Sequence, residues 1–131
     1  MKAPKLTRVE WEVMEAVWEL TGAPSIREVL DHAFSDGEKA YTTVQTIMNT
    51  LEKKGLLVRK KKGLANFYRP TRTRDEMIMA EMSTMLDRVF RGSRPALADT
   101  LLSMDDLSLE EITQIKQLLR RKEKELKGGR A

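Results

Sequence analysis

The segment from Tyr41 to Pro70 changes its hydrophobic period once, from the period of a helix to that of a strand. In its first half, apolar residues recur at spacings of three and four, which predicts one buried helical stripe: Val44, Ile47, Met48 and Leu51. Gly55 is a favourable residue to follow the last turn of that helix. Beyond it, Leu56–Lys61 and Asn66–Pro70 each have the pattern of a strand, around a turn at Lys62–Ala65. The sequence therefore predicts an amphipathic helix directly before a β-hairpin.

Two further helices are predicted ahead of this segment. Thr7–Glu10 and Ser25–Glu28 both have the spacing of a capping box, in which two side chains satisfy free backbone N–H groups at a helix start. The first of these helices is expected to end near Leu20. Three helices followed by a hairpin are typical of a winged helix-turn-helix domain. The small extra strand of such a domain falls at Pro24–Ser25 or at Lys39–Ala40, and the sequence leaves both open.

After residue 72 the strand signals stop and the helical period continues. Helices are predicted over Arg74–Phe90, Ala96–Ser103 and Ser108–Leu126, the last opened by a third capping box at Ser108–Glu111. The expected fold is therefore mainly α with a small β-hairpin. It comprises a winged helix-turn-helix domain over residues 1–72 and a helical region over residues 73–131.

The helical region is expected to form a homodimer. Helices in so small a region have difficulty burying their apolar faces alone, and a second copy of the chain is the simplest cover. The residues expected at the dimer interface are Met82, Leu86, Val89, Phe90, Ile112, Ile115 and Leu119. Ile112, Leu119 and Leu126 also have the seven-residue spacing of a coiled coil. The alternative is that these helices pack back on the first domain as ordinary core.

The polar face of the third helix is unusual for a solvated surface. It carries Thr42, Thr43, Gln45, Thr46 and Asn49. Threonine and asparagine are poorer helix formers than glutamate, lysine or alanine, so helix stability does not favour them there. Short hydroxyl and amide side chains can, however, approach base edges in the major groove of DNA. We therefore predict that these five residues read bases in double-stranded DNA.

Positive charge is concentrated around this helix and the hairpin. The segment Lys39–Arg74 holds ten basic residues and one acidic residue, a net +9, so the rest of the chain carries −5 of the total +4. Such asymmetry favours a polyanion as partner. The predicted contacts to the DNA backbone, in part through the wing, are Lys39, Lys53, Lys54, Arg59, Lys60, Lys61, Lys62 and Arg69. A winged domain that binds protein without reading DNA is the alternative, and a lysine cluster alone can also bind RNA or an acidic membrane.

The composition argues against several kinds of chemistry. The chain has no cysteine and one histidine, His32, so thiol chemistry is excluded and a zinc site would need a weak set of ligands. We expect no enzymatic activity, no metal and no cofactor. No apolar run approaches the length of a membrane span, and the N-terminus lacks the character of a signal peptide, so a cytoplasmic protein is expected.

The sequence resembles the penicillinase-repressor family, which includes repressors of β-lactamase, methicillin-resistance and copper-transport genes. The resemblance is carried by LTRVEWEVMEAVWE (6–19), AYTTVQTIMNTLEKKGLL (40–57), NFYRP (66–70), VFRGS (89–93) and DLSLEEI (106–112). It implies a homodimeric winged-helix repressor that binds a palindromic operator. The family's base contacts fall on the third helix, and its wing contacts fall on Lys60, Lys61 and Lys62.

Two features depart from the family pattern. In antibiotic-responsive members the repressor is cleaved between an asparagine and a phenylalanine, and that position is Thr100-Leu101 in this sequence. Copper-responsive members carry a cysteine-rich tail, whereas this chain has no cysteine. The resemblance therefore implies operator binding but does not supply the inducing signal.

Overall fold

The computed structural model describes residues 4–129, which form six helices and one hairpin. In chain order they are α1 (Arg8–Glu19), α2 (Ile26–Ala33), α3 (Tyr41–Lys53), β1 (Leu57–Lys62), β2 (Ala65–Pro70), α4 (Arg74–Arg88), α5 (Arg94–Leu102) and α6 (Leu109–Gly128). The predicted fold class, mainly helical with a small hairpin, is confirmed.

The helix starts follow the predicted capping boxes. The reciprocal pairs Thr7/Glu10, Ser25/Glu28 and Ser108/Glu111 each open a helix. A fourth pair, which the sequence reading missed, opens α4. There the Thr73 N–H donates to Glu76 at 2.8 Å, and the Glu76 N–H donates to the Thr73 hydroxyl at 3.1 Å. These hydrogen bonds lower the pKa of the Glu76 carboxyl.

The end of α3 shows why Gly55 follows it. The Leu56 N–H donates to the Leu51 carbonyl at 3.0 Å, and the Gly55 N–H donates to the Glu52 carbonyl at 2.9 Å. This hydrogen-bond pair is the Schellman arrangement, which requires a left-handed residue after the helix. Gly55 supplies it with φ of 80°. The chain therefore turns sharply from α3 into β1.

One hydrophobic core joins the first three helices to the hairpin. Its fully buried large side chains are Tyr68, Met14, Met48, Leu51, Leu56, Leu57, Met77, Val13, Val17, Val29 and Val44. Trp11 and Trp18 pack at the edge of this core with ring centroids 5.8 Å apart. The predicted stripe of α3 is confirmed, with Ile47 only partly buried.

The hairpin is a two-stranded antiparallel sheet with a two-residue turn. Lys62 pairs with Ala65, so Gly63 and Leu64 form the turn. Of the two segments predicted for the small extra strand, Pro24–Ser25 is the one that pairs with the hairpin. Ser25 forms a bridge with Phe67, and the Tyr68 N–H donates to the Pro24 carbonyl at 2.9 Å.

The chain divides into two compact units between Met85 and Leu86. The beginning of α4 belongs to the first unit because Met77 is fully buried there. Two long-range contacts support this assignment: the Trp18 indole N–H donates to the Arg72 carbonyl at 2.9 Å, and Arg74 lies 2.7 Å from Glu15. The boundary between residues 72 and 73 stays a prediction.

The second unit contains the last residues of α4, together with α5 and α6. Helix α4 ends at Arg88, two residues before the predicted end, because Arg91 and Gly92 adopt left-handed φ angles of 49° and 82°. The Gly92 N–H then donates to the Leu86 carbonyl at 2.8 Å. None of the described residues of this unit is buried.

None of the helices within residues 4–129 is long and apolar enough to cross a membrane. In the same part of the chain, no three His, Cys, Asp or Glu side chains are grouped as metal ligands. His32 lies on the surface, with Nε2 2.9 Å from a carboxylate oxygen of Glu19.

A partly buried ion pair connects the start of α1 to the end of α3. The Lys54 ammonium donates to both carboxylate oxygens of Glu10 at 2.8 and 2.9 Å, and to the Lys5 carbonyl at 3.0 Å. Burial by itself raises the pKa of the Glu10 carboxyl, but the hydrogen bonds from Lys54 and Thr7 bring it below its usual value. The pair therefore stabilises the fold only while Glu10 is ionised.

We expect Lys54→Met to lower the free energy of unfolding by about 2–3 kcal/mol at neutral pH, because the buried Glu10 carboxylate loses its partner. The wild-type contribution is present above the ordinary glutamate pKa and is lost as the pH falls through the lower folded value. The difference between the two proteins should therefore shrink in acid. Urea unfolding at several pH values measures this, with the exposed neighbour Lys53→Met as control. Equal effects of the two substitutions would contradict the assignment.

Candidate nucleic-acid interface

The polar face of α3 is open to solvent. Thr42, Thr43, Gln45 and Thr46 are exposed, whereas Asn49 is half-buried. The opposite side of the helix is held in the core by Val44, Met48 and Leu51, which are completely buried. The core therefore fixes the rotation of α3 and leaves four of the five predicted base-reading residues on its free side.

Two threonine hydroxyls of α3 already use their protons within the helix. Thr46 donates to the Thr42 carbonyl at 3.0 Å, and Thr50 donates to the Thr46 carbonyl at 3.0 Å. Such bonding to the carbonyl four residues back is common for threonine in helices. In this arrangement Thr46 offers its methyl group and its oxygen lone pairs to a ligand, but not its proton.

Asn49 differs from the other four predicted residues. Its Oδ1 atom is buried and accepts no hydrogen bond from any residue of the described chain. A buried polar atom without a partner is costly, so few remain in folded proteins. Asn49 is therefore less accessible than the other four residues of this face, whereas the sequence predicted that all five would be open to DNA.

The basic residues fall into two groups according to their partners. Lys54 is bonded to Glu10, and Arg59 lies 3.4 Å from Glu52. Within residues 4–129 no ion pair is formed by the other predicted backbone contacts, which are Lys39, Lys53, Lys60, Lys61, Lys62 and Arg69. All of these are exposed except Lys39, which is half-buried. The ammonium group of Lys54 in particular is already bound, to Glu10 and to the Lys5 carbonyl.

The strand register divides the hairpin cations between two faces. Cross-strand partners share a face, and successive residues alternate. The inner hairpin face consists of the pairs Leu57/Pro70, Arg59/Tyr68 and Lys61/Asn66, and the outer hairpin face consists of Val58/Arg69, Lys60/Phe67 and Lys62/Ala65. Leu57 and Tyr68 belong to the core. The three consecutive lysines of the predicted wing therefore do not point the same way.

Three residues near this surface were missed by the sequence reading. Leu64 is fully exposed at the tip of the hairpin. Its position in a two-residue Gly-Leu turn was the available signal. At the start of α3, the Arg27 guanidinium lies over the Tyr41 ring, 5.2 Å from its centroid. This pair joins residues 14 positions apart and depends on how α2 packs on α3, so no local pattern predicts it.

Comparison with known proteins identifies one protein family and relatives with similar names. The sequence matches the family "Penicillinase repressor" over residues 6–121. The penicillinase repressor of Bacillus licheniformis is 29% identical over 118 residues, which cover 90% of this chain and 91% of that protein. The transcriptional regulator BlaI of Mycobacterium tuberculosis is 34% identical over 96 residues, which cover 70% of each.

A solved structure matches part of this chain. The solution structure of the DNA binding domain of the repressor BlaI is 28% identical in sequence, with a TM-score of 0.50. The match covers 58% of this chain and 93% of that domain. It agrees with the arrangement of helices and hairpin described above.

Proposed function

This chain belongs to the penicillinase repressor family, and on that premise we propose that it is a transcriptional repressor that binds a palindromic DNA operator as a homodimer. The observation that carries the proposal is the exposed face of α3, with four polar side chains on the side opposite the buried Val44, Met48 and Leu51. Operator binding would place the protein with the chromosome, in the cytoplasm.

Helix α3 enters the major groove in this proposal. Gln45 can pair with adenine through two hydrogen bonds, to N6 and N7. The hydroxyl proton of Thr46 is used within the helix, so its contribution is the methyl group, which suits the methyl of thymine. Thr42 and Thr43 lie in the first turn, the part of a recognition helix that approaches the bases most closely. Asn49 would present its buried Oδ1 atom to a base only if the side chain turned outward.

Contacts to the phosphates position the helix but carry no sequence information. We assign them to exposed cations without an acidic partner in the described chain, namely Lys53, Lys60, Lys61, Lys62 and Arg69. Lys39 lies just before α3 and is a further candidate. Lys54 is left out because its three donors are already bound. Arg59 could contact a phosphate only by leaving Glu52.

The second unit supplies the argument for a dimer. Exposed apolar side chains in it include Val89, Leu101, Leu102, Met104, Leu109, Leu118, Leu119 and Leu126. Of the predicted interface residues, Met82, Val89 and Leu119 are exposed, whereas Leu86, Phe90, Ile112 and Ile115 are half-buried. Water contact with so much apolar surface is unfavourable, and a second copy would remove it. Two α3 helices could then reach half-sites about 34–36 Å apart.

We propose that this protein is not released from DNA by the cleavage that releases the antibiotic-responsive family members. Thr100 and Leu101 lie inside α5 instead of forming the asparagine–phenylalanine pair at which those members are cut. The chain also has no cysteine for thiolate binding of copper. We therefore infer that another signal releases this repressor.

Gln45→Ala should weaken binding to the operator by about 1–3 kcal/mol, since two base contacts are lost, and should leave binding to random DNA unchanged. Titration of labelled operator and labelled random duplex measures both affinities. The exposed Gln114→Ala in α6 is the matched control. Equal losses on the two duplexes would refute base reading by Gln45.

Replacing Lys60, Lys61 and Lys62 together by alanine should weaken binding to all DNA. Each lost phosphate contact lowers the slope of log affinity against log salt by about 0.9. Single substitutions show which hairpin face contributes, because Lys61 lies on the inner face and the other two on the outer. Lys116→Ala in α6 controls for net charge. A slope that stays unchanged in the triple variant would remove the hairpin from the interface.

Ile115→Asp should convert the dimer to monomers and reduce operator affinity, because a charge would be buried at the interface. Gln114→Asp adds the same charge at the exposed neighbouring position and should remain dimeric. Sedimentation equilibrium distinguishes the chain mass of 15.1 kDa from twice that value. A wild-type protein that sediments as a monomer at micromolar concentration would contradict the proposal.

A further inference from the structure

A groove lies against the outer hairpin face. Its volume is ≈ 730 Å³, and its other wall is the loop Gly22–Ala23 with Glu28 of α2. This volume falls within the range of about 300–1,000 Å³ in which proteins bind small molecules. All of these residues lie in the first unit, so the groove is complete within it.

The floor of the groove is apolar. Val58 is 42% exposed and Phe67 is half-buried, and both side chains line it. Phe67 is also held in place by its bridge to Ser25. An apolar valine and an aromatic ring beside three cations are more than a phosphate backbone requires, because phosphates need only hydrogen-bond donors and positive charge.

The rim of the groove is strongly positive. Lys60, Lys62 and Arg69 line it, and none of them is ion-paired within residues 4–129. In the same part of the chain, the one carboxylate that lines the groove is that of Glu28. Its Oε1 atom already accepts the Ser25 N–H at 2.9 Å. That hydrogen bond leaves the negative charge of Glu28 in place, so the groove combines an apolar floor with a net positive charge, these three cations against one carboxylate.

We propose that this groove binds a small organic anion with an apolar body, and that the bound anion releases the protein from DNA. The apolar body would cover Val58 and Phe67, while the anionic group would lie between Lys60, Lys62 and Arg69. Neutralising these cations removes charges that attract phosphates, so the anion and DNA bind in opposition. Release from DNA by the anion rests on the proposed function, whereas binding of the anion does not.

The first test uses the full chain without DNA. 1-Naphthoate is the probe, and 1-naphthalenemethanol is a neutral compound with the same ring system. We expect naphthoate to shift the backbone amide NMR signals of Gly22, Ala23 and Phe67 in a saturable way. The alcohol should bind at least about tenfold more weakly, because it lacks the charge that the rim attracts.

Two substitutions at one position separate charge from shape. Val58→Glu places a carboxylate among the rim cations and should abolish naphthoate binding. Val58→Gln has nearly the same size without the charge, and it should keep the preference for naphthoate over the alcohol. Val58 has no part in the proposed DNA contacts. Because its carboxylate also offsets cations assigned to the phosphates, Val58→Glu should bind the operator more weakly than wild type even without naphthoate. Naphthoate should lower the operator affinity of wild type and Val58→Gln, whereas it should leave the affinity of Val58→Glu unchanged.

Several outcomes would overturn this inference. Equal binding of naphthoate and the alcohol would refute a site for the anion, and so would shifts that map to α4–α6 instead of the groove. Shifts at the groove amides caused by operator DNA, with none caused by naphthoate, would make the groove part of the backbone contact. Saturable naphthoate binding without any effect on operator affinity would refute the release mechanism alone. Loss of operator binding in every sample would refute the proposed function and leave the anion site standing.

Discussion

The rotation of α3 about its own axis is fixed by Val44, Met48 and Leu51, and the proposed interface depends on that rotation. These three side chains are completely removed from water. A shift of the stripe by one residue would turn the helix by about 100° and carry Gln45 toward the core. The Schellman turn at Gly55 then sets the direction in which β1 leaves α3. One packed stripe thereby orients both the polar face of α3 and the hairpin.

Some of the cations near this interface pair with carboxylates of the protein, and only the others are free to bind a ligand. Lys54 stabilises the junction of α1 and α3 through Glu10, and Arg74 contacts Glu15. Arg59 lies beside Glu52 and above the buried Tyr68, whose pKa is raised by burial. The net +9 of Lys39–Arg74 therefore overstates the charge available to DNA. Because side chains alternate along the two strands, the hairpin cations that have no acidic partner in the described chain are split between the inner and the outer hairpin face.

Local patterns were enough to predict most of the fold, because caps, turns and the stripe of α3 depend on neighbouring residues. The exposure of Thr42, Thr43, Gln45 and Thr46 was predictable for the same reason. Features that depend on distant residues were not. The sequence does not show that Lys54 meets Glu10 or that Met77 joins the first core. Contact of the α3 face with bases stays a prediction, since exposure alone does not establish it.

The central claim is that a dimer of this chain reads DNA sequence through α3. Its most direct test is selection of duplexes from a random library by the full chain at near-physiological salt, followed by sequencing. We expect enrichment of an inverted repeat whose half-sites are centred about one helical turn apart. Binding that enriches no sequence and disappears as the salt concentration rises would show that the α3 face does not read bases, and would contradict the account.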